Sequence, residues 1–226
     1  MNSVKPLYDK KCTCPLCNTS FTTKKIRTRF IKMTNLDTDF FPTYADHNPL
    51  LYYINVCPDC GYSFHDETSA NLSLNEKMLL IEKVCNRWTP RSFGGNRSVR
   101  DAMISYKLAA YCALLRKEKH IIVAGLYIRL AWLYRSIKEN EQEIRFMNLA
   151  LQEYEASYLT ADFLGTKVSE LKTLYLIGEL SRRTVKMNQA TKYFSKVIEK
   201  QSRTNETNII ELAKESWHKI REVQSI

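Results

Sequence analysis

Cys14-Pro15-Leu16-Cys17 and Cys57-Pro58-Asp59-Cys60-Gly61 are two copies of one hook. In each, two thiols stand two residues apart and proline follows the first. That spacing lets both sulfurs of a tight turn reach one metal ion, and two such turns supply the four soft ligands that tetrahedral zinc prefers. A single Cys-x-x-Cys is ambiguous, whereas a matched pair bracketing an expected β-hairpin points to a metal knuckle. Cys14, Cys17, Cys57 and Cys60 are therefore the expected ligands of a structural Zn2+, with four thiolates closing the coordination shell. Cys12 competes with Cys14 through a Cys-x-Cys spacing, and His65 and His47 are substitutes by position. The repeated Cys-Pro-x-Cys form favours Cys14.

Outward from the hooks the pattern is strand-like. A short strand leads through Lys10–Cys12 into the first hook. From Phe21 to Met33, Ile26, Thr28 and Phe30 would share one face, with Lys25, Arg27 and Arg29 on the other. Leu50–Val56 reads as a further strand that delivers the second hook. Between them lies a polar, proline-bounded loop containing Asp37, Asp39, Phe40, Phe41 and Tyr44. Residues 1–70 are thus expected to form a small β zinc-ribbon-like module.

Beyond Glu67 the apolar period lengthens from two to about three and a half, the helical spacing. Ser73-x-x-Glu76 is a capping box for a helix whose Met78, Leu79, Ile81 and Val84 form an apolar stripe up to Trp88-Thr89-Pro90. Ser98 with Asp101 opens a second helix running to about Lys117. Further helices are expected at about 121–138, 141–159, 167–186, 189–201 and 206–224, the last capped by Asn205. Residues 71–226 form the second expected domain, and the fold class is mainly α. Gly94-Gly95 is too short a pair for a phosphate-binding loop. Cys85 and Cys112 sit in apolar helical patterns and read as buried small hydrophobes.

Seven cysteines, an odd number in hook spacing, suit a metal in a reducing compartment better than a disulfide framework. The first residues carry no apolar leader, and the longest uncharged apolar run, Ile121 to Ile128, is too short to span a bilayer. The expectation is a cytoplasmic protein without a membrane segment. The net charge of +10 comes from 34 Lys and Arg against 24 Asp and Glu. Residues 1–70 hold eight of these cations and seven of the acids, so 71–226 carries the remaining +9. A basic surface attracts nucleic acid, anionic membrane or acidic protein without choosing between them.

An internal repeat narrows the helical half. Leu174, Ile177, Gly178, Ala190 and Phe194 match the large–large–small, Ala and Phe positions of a tetratricopeptide repeat. Tyr127, Leu130, Ala131, Tyr134 and Ala150 occupy corresponding sites, although Glu143 and Met147 depart from the pattern. The small residues Ala131 and Gly178 let paired helices approach closely. A generic helical bundle is the alternative to a tetratricopeptide-like array. In the repeat register, Arg129, Trp132 and Arg135 from one pair and Tyr175, Arg182 and Arg183 from the other line a groove. Arginines among aromatics suit an extended acidic segment, because guanidinium pairs bidentately with carboxylate. The plainer alternative is the solvated face of amphipathic helices.

Leu7-Tyr8-Asp9-Lys10-Lys11, Phe21-Thr22-Thr23-Lys24-Lys25, Asn48-Pro49-Leu50 with Tyr52-Tyr53, and the second hook through Tyr62 together resemble the uncharacterised bacterial family catalogued as domain of unknown function 2225. The resemblance continues through Ser105–Ala109, Arg129–Arg135 and Tyr175–Leu180, so it covers nearly the whole chain. It implies that the hook cysteines are the metal ligands and that the C-terminal half is tetratricopeptide-like; it implies no activity. Phe41 stands where members often carry cysteine, and Cys12 where an aliphatic residue is expected.

Catalytic patterns are missing from the sequence: there is no His-Glu-x-x-His helix and no Gly-x-Ser-x-Gly elbow. Asp37 and Asp39 could form a carboxylate pair, but a polar turn explains them as well. The expectation is not an enzyme but an adaptor whose helical groove takes a protein partner. The alternative is a nucleic-acid-binding protein using Lys24, Lys25, Arg27, Arg29 and Lys32, five positive charges in nine residues, with the basic helices.

Overall fold

The structure is a computed structural model describing residues 4–224. Its contacts divide into two compact units. One runs up to Leu36 and resumes over Pro42–Glu118; the other joins Asp37–Phe41 to the chain from Lys119 onward.

The described residues of the first unit form three antiparallel hairpins and two α-helices. Strand β1 (Leu7–Thr13) pairs with β2 (Ser20–Ile26), in register from Leu7 opposite Ile26 to Thr13 opposite Ser20. Strands β3 (Met33–Leu36) and β4 (Pro42–Tyr44) form a second hairpin, and β5 (Ile54–Val56) and β6 (Ser63–His65) a third. The expected strand from Phe21 to Met33 is therefore interrupted. The Arg27 amide bonds the Pro6 carbonyl, but proline has no N–H to continue the ladder. The chain instead turns through a 3-10 segment, Thr28–Phe30. Likewise the expected strand Leu50–Val56 is strand only from Ile54. Asn48 accepts the Leu50 amide and Pro49 presets the backbone, so Pro49–Tyr52 closes as a 3-10 turn.

Helix α1 (Leu74–Lys83) starts at the Ser73–Glu76 capping box, and α2 (Val99–Leu115) at a second one, Ser98 with Asp101. Trp88 lies beyond α1, after a 3-10 turn over Cys85–Arg87. Both helices pack within the hook unit, so contacts divide the chain at Glu118/Lys119 where the sequence suggested residue 70. The reason is burial. Leu80 and Val84 of α1 and Cys112 of α2 join Cys14, Cys57, Cys60 and Tyr62 in one apolar cluster. The small residues Ala102, Ala109, Ala110 and Ala113 let α2 lie close on its neighbours, and Tyr106 stacks on Tyr53 with centroids 6.1 Å apart. Buried Arg97 fixes the entry to α2 by donating to the carbonyls of Phe93, Leu51 and Ile54 and to Thr23 Oγ1. It has backbone acceptors to replace its water, as a buried guanidinium requires.

The second unit is an array of helices: α3 (His120–Ser136), α4 (Asn140–Thr160), α5 (Glu170–Arg183), α6 (Met187–Glu199) and α7 (Thr207–Gln224). Each packs on the next, and α7 also returns to α5. The described residues thus contain the seven helices expected, although α7 begins after Glu206, whose amide is held by Thr204 Oγ1, rather than at an Asn205 cap.

The internal repeat is structural as well as sequential. Helix α4 begins 47 residues before α6 (140, 187), matching the 47 between Ala131 and Gly178. The turns share that offset. Lys138 and Val185 both adopt positive φ, 60° and 62°. In the first turn the Glu139 amide bonds the Tyr134 carbonyl, and in the second the Lys186 amide bonds that of Ser181. These are the bonds of a left-handed helix terminus, placed identically in both hairpins. Leu130, Ala131, Ala150, Leu174, Ile177, Ala190 and Phe194 are buried as the repeat requires. A Cβ on Gly178 would lie 2.8 Å from the Phe194 ring, so glycine sits there because an aromatic occupies its side-chain space.

Candidate metal centre and arginine groove

Each cysteine hook is the tip of its own hairpin, β1–β2 for the first and β5–β6 for the second, rather than the two together bracketing one hairpin. The two tips are built alike. The Cys14 amide bonds the Thr19 carbonyl and the Asn18 amide the Cys14 carbonyl; Cys57 with Tyr62 and Gly61 with Cys57 repeat these bonds at 2.9–3.0 Å. The residue four after the first cysteine is left-handed in both, Asn18 at φ 61° and Gly61 at φ 72°. Asparagine tolerates that region, and glycine adopts it freely. At Gly61 a second constraint applies, because an added Cβ would come within 2.5 Å of the Trp88 ring. Trp88 in turn donates its indole N–H to the Pro58 carbonyl at 2.8 Å.

These turns bring the sulfurs of Cys14, Cys17, Cys57 and Cys60 within 4.8 Å of one another. Across the hooks, Cys14 Sγ lies 3.6 Å from Cys60 Sγ, and Cys17 Sγ 3.6 Å from Cys57 Sγ. Metal–sulfur bonds of about 2.3 Å in a tetrahedron require sulfur–sulfur edges of about 3.8 Å, so the donor set fits a metal ion. Three of the thiols are buried and Cys17 is exposed. The Cys60 thiol donates to Cys14 and pulls its pKa down to about 5, against the opposing effect of burial. The same bond pushes Cys60 far up, and burial lifts Cys57 to about 12. A dication held here would supply the positive charge that favours the thiolate form of its ligands.

Cys12 is not in this group. It faces Phe21 in the β1–β2 register. His65 stacks on Tyr53 and accepts the Glu67 amide at Nδ1, and His47 lies edge-on to Phe30. Cys85 and Cys112, expected as buried hydrophobes, do lie in an apolar setting, but it is the cluster around the hook sulfurs themselves.

The groove residues converge on a segment of the chain itself. Arg135 Nη2 and Nη1 reach Asp39 at 2.6 and 3.1 Å, Nη1 reaches Asp37 at 2.8 Å, and Nε reaches Glu143 at 2.6 Å. Arg183 holds Asp37 at 2.7 Å and Thr38 Oγ1 at 2.8 Å. Trp132 donates its indole N–H to Asp39 Oδ2, and the Tyr175 hydroxyl donates to the Thr38 carbonyl at 2.7 Å. Arg182 contributes indirectly, through a bidentate pair with Glu179, which also accepts from Thr38 Oγ1 and Arg183. Phe40 packs on Tyr175, and Phe41 stacks on Trp132 beneath the Arg135 guanidinium. Arg129 bonds the Gly125 carbonyl and lies over the Trp132 ring.

Asp39 is fully buried and Asp37 partly so. Burial alone would raise the Asp37 pKa, yet the Thr38 amide and the two guanidiniums hold it below the usual carboxylate range. Burial likewise opposes the charge of Arg135, but Asp39 and Glu143 raise its pKa well above the usual value. Lys172, over the Phe40 ring, has its pKa lowered by burial and by Arg129. The sequence marked the groove and marked the acidic loop; nothing local in it connected them.

A family model described as an uncharacterized protein conserved in bacteria, domain of unknown function 2225, matches residues 7–220. The chain belongs to that family. No curated protein matches it, and no solved structure does. For this member of domain of unknown function 2225, the match spans both the hooks and the helical array. Among the described residues no helix is long and apolar enough to cross a membrane.

The basic strand of this family member is partly spent internally. Lys24 pairs with Asp9 at 2.8 Å, and Lys25 turns inward to the Tyr52 carbonyl and Asp66. Arg27 bonds the Lys5 carbonyl and lies over Tyr8, and Arg29 lies over Phe30.

Proposed function

We propose that this protein is a non-enzymatic intracellular adaptor in which zinc fixes the two cysteine-tipped hairpins and a tetratricopeptide-like helical array takes a protein partner. The observation that carries the reading is the groove of α3 and α5. Its arginines and aromatics hold an acidic, aromatic peptide segment, here one from the same chain. A surface that reads two carboxylates, a backbone carbonyl and two aromatic rings has the chemistry of peptide recognition. Four thiolates in a tetrahedron suit zinc, and its shell is then closed to a catalytic water. The loop acids serve poorly as a hydrolytic pair, because both are engaged by guanidinium groups. The nucleic-acid alternative has less support, since Lys24 and Lys25 are already paired within the hook unit.

The test is affinity purification of the tagged protein from its own cells, with and without nuclease, read by mass spectrometry. The adaptor reading expects a specific protein to remain after nuclease and to be lost with Arg135→Glu. If everything bound disappears with nuclease, the adaptor reading fails and the alternative replaces it.

A further inference from the structure

The β3–β4 hairpin does not need its five-residue tip. Leu36 pairs directly with Pro42, so two residues of the Asn-Gly type would close it. Asp37–Phe41 is instead longer than closure requires, and contacts place it with the helical unit. Its backbone is held in a costly conformation: Phe40 has φ 64°, a left-handed value that bulky residues rarely adopt. The bonds from the Phe40 amide to the Asp37 carbonyl and from the Asp37 amide to the Phe41 carbonyl coil the segment into a compact turn.

Every residue of that turn is read by a side chain of α3 or α5. Asp37 meets Arg135 and Arg183, and Thr38 meets Tyr175, Glu179 and Arg183. Asp39 meets Arg135 and Trp132, Phe40 meets Tyr175, and Phe41 meets Trp132. Such residue-by-residue contact is the way a groove recognises a peptide.

We propose that the α3–α5 groove is a recognition site for acidic–aromatic segments of the pattern Asp-x-Asp followed by two aromatics, carried by a partner protein, and that Asp37–Phe41 is its built-in occupant. This rests on the adaptor reading and names the chemistry of its partner. A tethered occupant acts at an effective concentration on the order of millimolar, so a partner's segment must outbind it or arrive in several copies. The loop thereby sets a threshold for partner binding.

The probe is a fluorescein-labelled peptide of residues 34–43, Thr-Asn-Leu-Asp-Thr-Asp-Phe-Phe-Pro-Thr. It is titrated by anisotropy against the full chain and against a full-length variant in which residues 37–41 are replaced by Asn-Gly. The expected result is saturable binding to the variant, at least tenfold weaker binding to the natural chain, and at least tenfold loss when both peptide aspartates become asparagine. Adding Arg135→Glu to the variant should abolish binding. Where the variant is poorly folded by circular dichroism, the same peptide should restore its helical signal and raise its Tm. No binding and no restoration, or binding indifferent to the aspartates, overturns the proposal. A partner still captured by the natural chain from cells in that case would leave the adaptor reading standing and move its site elsewhere.

Discussion

Asp39 is the residue on which the loop's seat depends, and its substitutions should separate three energies. In Asp39→Asn the volume and an acceptor for the Trp132 indole persist, but the charge is lost. Oδ2 carries the Trp132 bond and one Arg135 bond (2.6 Å), and Oδ1 the other Arg135 bond (3.1 Å) and the Phe41 amide. An amide oxygen kept at the Oδ2 position therefore leaves one Arg135 bond at ordinary strength, while its NH2 group loses the other. At about 1 kcal/mol per bond the cost is about 2 kcal/mol. Asp39→Ala removes both bonds and leaves the Trp132 N–H without its partner, a further cost of about 1–3 kcal/mol. Arg135 retains Asp37 and Glu143, so the total stays near 4 kcal/mol, within the range for breaking a buried pair. Asp37 is 35% exposed and its pairs are partly solvated, so Asp37→Ala should cost only about 1 kcal/mol.

Urea unfolding at neutral pH, followed by tryptophan fluorescence and the helical circular dichroism signal, would measure all three. The expected order of loss is Asp39→Ala, then Asp39→Asn, then Asp37→Ala. The Asp39 effects should persist at about 1 M salt, where exposed pairs are screened within about 3 Å. A loss below about 1 kcal/mol for Asp39→Ala, or a larger loss for Asp37→Ala, would refute the claim that a buried carboxylate anchors the loop.

Metal analysis should find one ion per chain, and Cys57→Ser or a strong chelator should remove it and unfold the hook hairpins, seen as lost near-ultraviolet signal. Gly178→Ala should destabilise by about 1–2 kcal/mol in urea, although helix propensity alone predicts a gain of about 1, because the new methyl meets the buried Phe194 ring at 2.8 Å. Asp66 supplies a pH window. Burial opposes its charge, but bonds from Lys10 and Asn55 and the charge of Lys25 hold its pKa down to about 2. A depressed folded pKa contributes stability above the unfolded value of about 3.9, lost as pH falls toward 2. Acid titration of unfolding should therefore be shallower in Asp66→Asn over that interval.

What the sequence revealed and what it hid divide along the range of the interactions. The hooks were legible because ligand spacing and proline are local, and the helices because period and capping boxes are local. Even Gly178 was legible, since a glycine inside a helix implies a packing reason. The strand boundaries were hidden where one residue decides the backbone: Pro6 ending the β1–β2 ladder, and Asn48-Pro49 turning Leu50–Tyr52 into a 3-10 turn. The placement of α1 and α2 was hidden because an apolar stripe does not say which partner it covers, and Leu80, Val84 and Cys112 cover the hook sulfurs. The meeting of Asp39 with Arg135 spans 96 positions, and no periodicity carries information over that distance.

The repeat itself explains why the groove looks as it does. With a 47-residue offset, Leu130 corresponds to Ile177, Ala131 to Gly178 and Leu133 to Leu180, all buried core positions of one character. Several positions that hold the loop differ between the copies, although Arg135, its central anchor, matches Arg182. Trp132 stands opposite Glu179, Ile128 opposite Tyr175 and Ser136 opposite Arg183. Glu143 departs from the alanine found at Ala190, and it is Glu143 that supports Arg135 at 2.6 Å. Met147 replaces the equivalent of Phe194 and brings its sulfur within 3.9 Å of Arg135. The two hairpins share a scaffold, and the side of it that meets Asp37–Phe41, two carboxylates and two rings, does so through residues that mostly differ between the copies, with Arg135 and Arg182 the shared pair.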